Sequence, residues 1–161
     1  RIEHGAVLPD DLLGEIHDLG LVVVTQPNFV AERGDAYLAD VERGDQPHLW
    51  RCGSLVERGI HVAAGTDAPF GHPDPWRAIT AAIERRTATG VLLGPDEAMG
   101  PVPALDLFVG APDAPHRPRR IAPGVITDLC LLDRPLADVL ASPTADAVRA
   151  TVGRTGLTVV R

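Results

Sequence analysis

Long apolar runs are missing from this sequence. No stretch of about 18 uninterrupted apolar residues occurs, so no transmembrane helix is expected. Aromatic residues make up 4% of the 161-residue chain, and the formal net charge is −7 with no block of basic residues. Both features count against a nucleic-acid partner, because phosphate tracking needs clustered cations and single-strand binding needs aromatic stacking platforms. The one basic cluster, His116-Arg117-Pro118-Arg119-Arg120, is short, broken by proline and expected to be a solvated loop. Cysteine is limited to Cys52 and Cys130 with no C-x-x-C spacing, which excludes a disulfide framework and reads as reduced core residues of a cytoplasmic protein. A Gly-rich phosphate loop, a dinucleotide fingerprint and a G-x-S-x-G elbow are all absent. Neither cysteine is placed as a nucleophile, since Cys52 is expected on a helix and Cys130 in a hydrophobic strand. Arg1-Ile2-Glu3-His4-Gly5 reads as neither a signal nor a transit peptide. It starts in the middle of a strand, and the expectation is a fragment.

What is present is ordinary globular material, 45% apolar and 23% charged, long enough for one domain with a real core. Three segments read as strands: Arg1 to His4, the β-branched run Leu21 to Gln26 ended by Pro27, and Ile60 to Gly65. Helices are expected between and after them. One opens at Pro9-Asp10-Asp11, carries Leu12, Leu13, Ile16 and Leu19 on one stripe, and is closed by Gly20. A second runs from Leu49 to Arg58 and is closed by Gly59. A third runs from Pro75 to Thr89, before Gly90. This alternation is the rhythm of parallel α/β architecture. Residues 28–48 exceed a normal βα connection and read as a long loop, carrying Glu-Arg-Gly-Asp at 32–35 and again at 42–45 as charge patterning rather than an adhesion motif. Beyond residue 90 the texture turns Gly- and Pro-rich, with a helix expected from Glu97 to Phe108. A strand at Thr127–Asp133 and a hairpin of Val148–Val152 with Leu157–Val160 suggest a small β appendage. The expected division is 1–110 for the α/β part and 111–161 for the linker and appendage.

Chemistry enters at "HVAAGTDAPF", residues 61–70. A run of small and β-branched residues ends in Gly65-Thr66-Asp67, so a carboxylate stands at the end of a buried strand. It serves as a cap, a turn former or a working group, and the spacing leaves all three open. His4 ends the first strand in the same way. In parallel α/β folds the strand C-termini converge on one face, where ligands bind. Imidazole nitrogen and carboxylate oxygen suit zinc or a similar divalent ion, and a carboxylate beside an activated water can accept its proton. A structural role for His4 stands beside that reading. Of the other histidines, His61 lies at the strand start, His17 on an exposed helix face, and His48 and His116 in loops without a partner. His72, in "GTDAPFGHPDP", is placed to line a pocket over the strand ends, though the plain loop residue is the preferred reading.

Taken in order, "RIEHG", "VVVTQPNF", "GSLVERGIHVAAGTDAPF", "DPWRAITAAIERR" and "APGVITDLCLLD" resemble the C-terminal half of the amidohydrolase superfamily, and more narrowly amidohydrolase family 3. The resemblance runs over nearly the whole chain. It implies a metal-dependent (β/α)8 TIM barrel, of which this chain would supply strands six, seven and eight, followed by β-sandwich strands. It implies His4 as a metal ligand, Asp67 as metal contact and general base then acid, and Gln26 as a residue near the substrate. The implied cofactor is a divalent metal, zinc first. The implied reaction is hydrolysis of an amide-like C–N bond of a small molecule, with neither nucleic acid nor membrane as partner. In "APGVITDLCLLD", Thr127 stands where the family usually has Ala. The H-x-H pair and the ligands of earlier strands are not in this sequence, so the resemblance also implies a missing N-terminal barrel half or an oligomer partner. The rival expectation is a non-catalytic truncated half-barrel that packs with a partner chain or binds a small molecule.

Overall fold

The computed structural model describes residues 1–125, 128–153 and 156–159. The expectations placed on Thr127, on the Arg154-Thr155 turn and on Val160 lie outside the described residues. Three short strands, β1 (Ile2–Glu3), β2 (Val22–Thr25) and β3 (His61–Ala64), form a parallel sheet in the order β1-β2-β3. The register aligns Glu3 with Val24, and Val24 with Ala63. β2 is central, which is why its β-branched run carries no exposed residue.

Helix α1 (Asp10–Asp18) connects β1 to β2, with Asp10 and Asp11 complementing the positive end of its dipole. Leu13 and Ile16 are buried, each worth about 1.5–3 kcal/mol of apolar burial. Leu12 and Leu19, expected on the same stripe, are exposed, because the buried face is narrower than the apolar pattern. Gly20 and Gly59 close their helices at positive φ, as the sequence indicates.

The largest departure from expectation is at residues 28–48. Instead of a long loop, α2 (Asn28–Asp40) fills most of the segment and packs on α4 (Pro75–Glu84). Gly34 hides the helix from a pattern reader, yet its place is forced. A Cβ there would lie 2.6 Å from Thr87 Cγ2. The first Arg-Gly-Asp is therefore helical with a buried glycine, not a presented loop.

Other boundaries shift for local reasons. The helix expected from Leu49 begins only at Gly53, as α3 (Gly53–Glu57), because Trp50 adopts φ 48. The helix expected to reach Thr89 stops at Glu84, where Arg85 turns left-handed with φ 53. Asp74 caps its start, accepting from the Trp76 N–H at 2.9 Å, with Pro75 in the first turn. The helix expected over Glu97–Phe108 divides into a 3-10 turn at Pro95–Glu97 and α5 (Pro101–Asp106). Glu97 is held elsewhere by its carboxylate, and the proline-rich start of α5 fits only a helix N-terminus.

After α5, β4 (Gly110–Ala111) pairs antiparallel with β5 (Ala114–Pro118). Part of the basic cluster expected as a loop is thus strand, and His116 has a partner, stacked on His61 at 4.2 Å between ring centroids. His48 also has one, facing Asp10 at 3.8 Å. The last segment is an antiparallel sheet of β6 (Leu129–Leu132), β7 (Val148–Gly153) and β8 (Gly156–Val159), with α6 (Leu136–Ala141) between its first two strands. Cys130, expected in the core, is exposed on β6, whereas Cys52 is buried. One apolar core contains Leu13, Val23, Leu55 and Ile79 together with Val139 and Ala147, so the antiparallel segment shares the interior of the α/β part. A second cluster joins Phe29, Val30, Leu49, Trp50 and Leu93 beneath α2. Among the described residues no helix is long and apolar enough to cross a membrane.

Candidate functional site

His4 and Asp67 lie at the same end of the parallel sheet. His4 follows the last residue of β1 and donates its backbone N–H to Val24 O at 2.8 Å. Asp67 follows β3 by three residues, after Gly65 has donated to Thr25 O at 3.0 Å. β2 stands between them, which separates the flanking strand axes by about 10 Å. Both residues are exposed and both sit in left-handed backbone, at φ 68 and φ 55. A non-glycine residue in that region is held there by its surroundings.

Two amides at the end of β2 supply part of that hold. Gln26, 4% exposed, faces the His4 ring, with Oε1 at 3.0 Å from Nδ1. Its Nε2 donates to Val24 O at 3.4 Å. Asn28, at the first turn of α2, donates from Nδ2 to Thr66 O at 3.1 Å and to Glu32 Oε1 at 3.2 Å. The Thr66–Gly71 turn closes with Gly71 N–H donating to Asp67 O at 2.9 Å. Gly71 admits no side chain, since a Cβ would stand 2.1 Å from Thr66 O and 2.6 Å from Asn28 Nδ2.

His72 lies in the same connection, exposed. Its backbone N–H donates to Glu32 at 3.2 Å, and its ring Nδ1 accepts from the Asp74 N–H at 3.2 Å. The ring thereby helps to seat the start of α4. Phe70 beside it is 63% exposed and lies under the Arg33 guanidinium, 3.9 Å from the ring centroid. Sequence reasoning named His4, Gln26, Asp67 and His72, and passed over Asn28 and Glu32. The available signal was "QPN", a second amide directly after a strand end.

The donor chemistry at this rim suits a divalent ion in kind, one imidazole and one carboxylate. Among the described residues no group of three or more His, Cys, Asp or Glu side chains gathers into a metal cage, so these two donors fall short of the three protein ligands of a typical catalytic zinc site.

The buried ionisable groups whose pKa is shifted lie away from this rim. Burial would push Glu97 up. The Ser54 hydroxyl, the backbone N–H groups of Ser54 and Cys52, and Arg51 outweigh it and hold the carboxyl below its ordinary range. Ser54 Oγ donates to Glu97 Oε1 at 2.6 Å and Arg51 Nε at 2.9 Å. Arg85, fully buried, donates to the carbonyls of Trp50 at 2.8 Å and Leu49 at 2.9 Å, and burial lowers its pKa. These charges clamp the segment around Leu49–Trp50 and the Pro95–Glu97 turn together.

Comparison with known proteins gives a consistent picture. A family model described as an amidohydrolase family matches residues 1–159. The N-substituted formamide deformylase of Arthrobacter pascens is 29% identical over 111 residues, covering 67% of this chain and 20% of that protein. The crystal structure of an uncharacterized metal-dependent hydrolase from Pyrococcus furiosus superposes with a TM-score of 0.57 at 28% identity, over 67% of this chain and 22% of that one. A second, from Pyrococcus horikoshii OT3, gives 0.56 at 25% identity, over 68% and 22%. The chain therefore spans about a fifth of the length of these relatives.

Proposed function

The chain belongs to the amidohydrolase family, and from that premise we propose that it is the C-terminal part of a metal-dependent hydrolase acting on an amide-like C–N bond of a small molecule. β1, β2 and β3 would be strands six, seven and eight of a (β/α)8 barrel, with residues 111–161 contributing to a β-sandwich appendage. The observation that carries the reading is the placement of His4 and Asp67 at one rim of a parallel sheet, both in left-handed backbone. The relatives' small covered share supports a barrel whose other strands lie outside these residues.

His4 and Asp67 would be two of the ligands of a divalent ion, zinc being the first candidate. When bound, such an ion lowers the pKa of a water and polarises a carbonyl oxygen. The chain's own contribution is proton traffic: the Asp67 carboxylate accepts a proton from the attacking water and returns it to the leaving nitrogen. Among the described residues the Asp67 carboxylate has no hydrogen-bond or ion-pair partner. The name of the Arthrobacter relative supports C–N chemistry, since deformylating an N-substituted formamide breaks such a bond.

The test is a zinc titration followed by NMR, paired with hydrolysis of a simple N-substituted formamide. Zinc is expected to shift the His4 ring and the Asp67 carboxyl together, and Asp67→Asn to remove the coupled response. Excess zinc that moves neither residue overturns the reading. The shortfall from three donors favours a second reading, a non-catalytic half-barrel that packs with a partner chain or binds a small molecule. In that case Asp67→Asn leaves small-molecule affinity intact and no hydrolysis is found under any zinc loading.

A further inference from the structure

Gln26 is a buried side chain in direct contact with His4, and its hydrogen-bonding capacity is already directed. The Val24 carbonyl can only accept, so the end of the amide at 3.4 Å from it is Nε2, the donor. That fixes the other end, at 3.0 Å from His4 Nδ1, as the acceptor Oε1. An acceptor facing Nδ1 requires a proton on Nδ1. The neutral ring is then the Nδ1–H tautomer, with its lone pair at Nε2, on the far side of the ring from Gln26. His4 needs this aid, because it sits at φ 68 and is exposed, so local packing does little to orient its ring.

We infer that Gln26 is a positioning residue: through its Oε1 it selects the tautomer of His4 and turns the Nε2 lone pair toward the space above the strand ends. The inference rests on the proposed role of His4 as a ligand, but the tautomer itself can be read without any metal. Gln26 is 4% exposed, and its polar atoms face His4 and Val24, so its contribution to a substrate is through the ring it orients rather than through direct contact. The same strand end serves the opposite flank through Asn28, so "Gln-Pro-Asn" acts as a spacer that supports His4 on one side and the Thr66–Gly71 turn on the other.

The experiment is a long-range proton–nitrogen correlation spectrum of the ¹⁵N-labelled chain at a pH where its histidines are neutral, with His4 assigned from His4→Gln. The wild type is expected to show a protonated Nδ1 and an unprotonated Nε2 at His4. Gln26→Met, similar in length but with only a weak thioether acceptor, should shift the population toward the Nε2–H form. Gln26→Glu, which keeps an acceptor at the same place, should restore it. A zinc titration of the three proteins adds the second readout: Gln26→Met is expected to bind 10–100-fold more weakly and Gln26→Glu to stay near wild type. A wild-type His4 protonated at Nε2 overturns the inference without use of any variant, as does a tautomer unchanged in a folded Gln26→Met protein. If no form binds zinc while the tautomer follows Gln26 as stated, the metal reading fails and the positioning of His4 stands.

Discussion

His4 and Asp67 share a backbone conformation as well as one end of the parallel sheet: each stands in the left-handed region, at φ 68 and φ 55, beyond the end of a strand flanking β2. Left-handed backbone costs an L-residue roughly 1–2 kcal/mol, less for Asp and Asn, whose short polar side chains bond locally. Two such residues at one rim mean that the fold sets the direction in which each Cα–Cβ bond leaves the backbone. Asp67 is exposed, so substitutions there read the backbone cost almost alone. Asp67→Asn is expected to leave stability within about 0.5 kcal/mol. Asp67→Val should lose about 1–2 kcal/mol, and Asp67→Gly should equal or exceed the wild type. Urea denaturation measures all three, and a valine variant as stable as wild type would show that the turn is free to leave this conformation.

Asn28 is the tie between α2 and the connection that carries Asp67. It is 2% exposed and its Nδ2 donates to Thr66 O at 3.1 Å. Asn28→Ala leaves that carbonyl unsatisfied beside a void, for an expected loss of about 1–3 kcal/mol. The local consequence is more telling than the global one. The Gly71 amide, which donates to Asp67 O at 2.9 Å, should lose exchange protection by more than the loss of global stability accounts for. Hydrogen exchange by NMR checks this. Equal loss across the whole chain would show that Asn28 serves the core and not the turn.

Much of this architecture can be read from local pattern. The β2 run, the glycines at 20 and 59, the Asp74-Pro75 helix start and the two strand-end residues are signals that operate over a few positions. Elements that depend on distant partners are not readable that way. α2 was hidden because Gly34 breaks its pattern, and the reason for Gly34 is Thr87, far along the chain. Glu97 and Arg85 look like ordinary surface charges on helical stretches, but each is buried against groups around residues 49–54. Even at the rim, the sequence offered Gln26 as a residue near the substrate, and its geometry with His4 required three-dimensional coordinates.

The two thiols should differ sharply in reactivity. Cys52 is fully buried, and burial pushes its pKa up to about 12, so the nucleophilic thiolate is nearly absent at neutral pH. Cys130 is exposed on β6, although partial burial also raises its pKa. A disulfide reagent at pH 8 is expected to titrate one thiol in the native chain, more slowly than a free cysteine, and the second only after denaturant is added. Cys130→Ser should abolish the native reaction. Two thiols reacting at equal rates without denaturant would contradict the burial of Cys52.

Acid should unfold this protein in part through Glu97. Its carboxyl is lowered in the fold, so the folded state binds a proton there less readily than the unfolded chain does. The stabilisation is therefore complete above the ordinary carboxylate value near 4.5 and is lost as pH falls through the depressed folded value. Glu97→Gln removes the charge but keeps the shape. It takes from the buried Arg51 guanidinium one of its two carboxylate partners, the one at 2.9 Å, and leaves Asp10 at 3.0 Å, for an expected cost of about 1.5–3 kcal/mol at pH 7. Below the folded value the wild-type carboxyl is itself neutral, so the gap between the two proteins should narrow as pH falls from 5 toward 3. Urea denaturation across that range measures it. A gap that stays constant with pH would assign the loss to packing around Ser54 and Cys52 rather than to the ion pair.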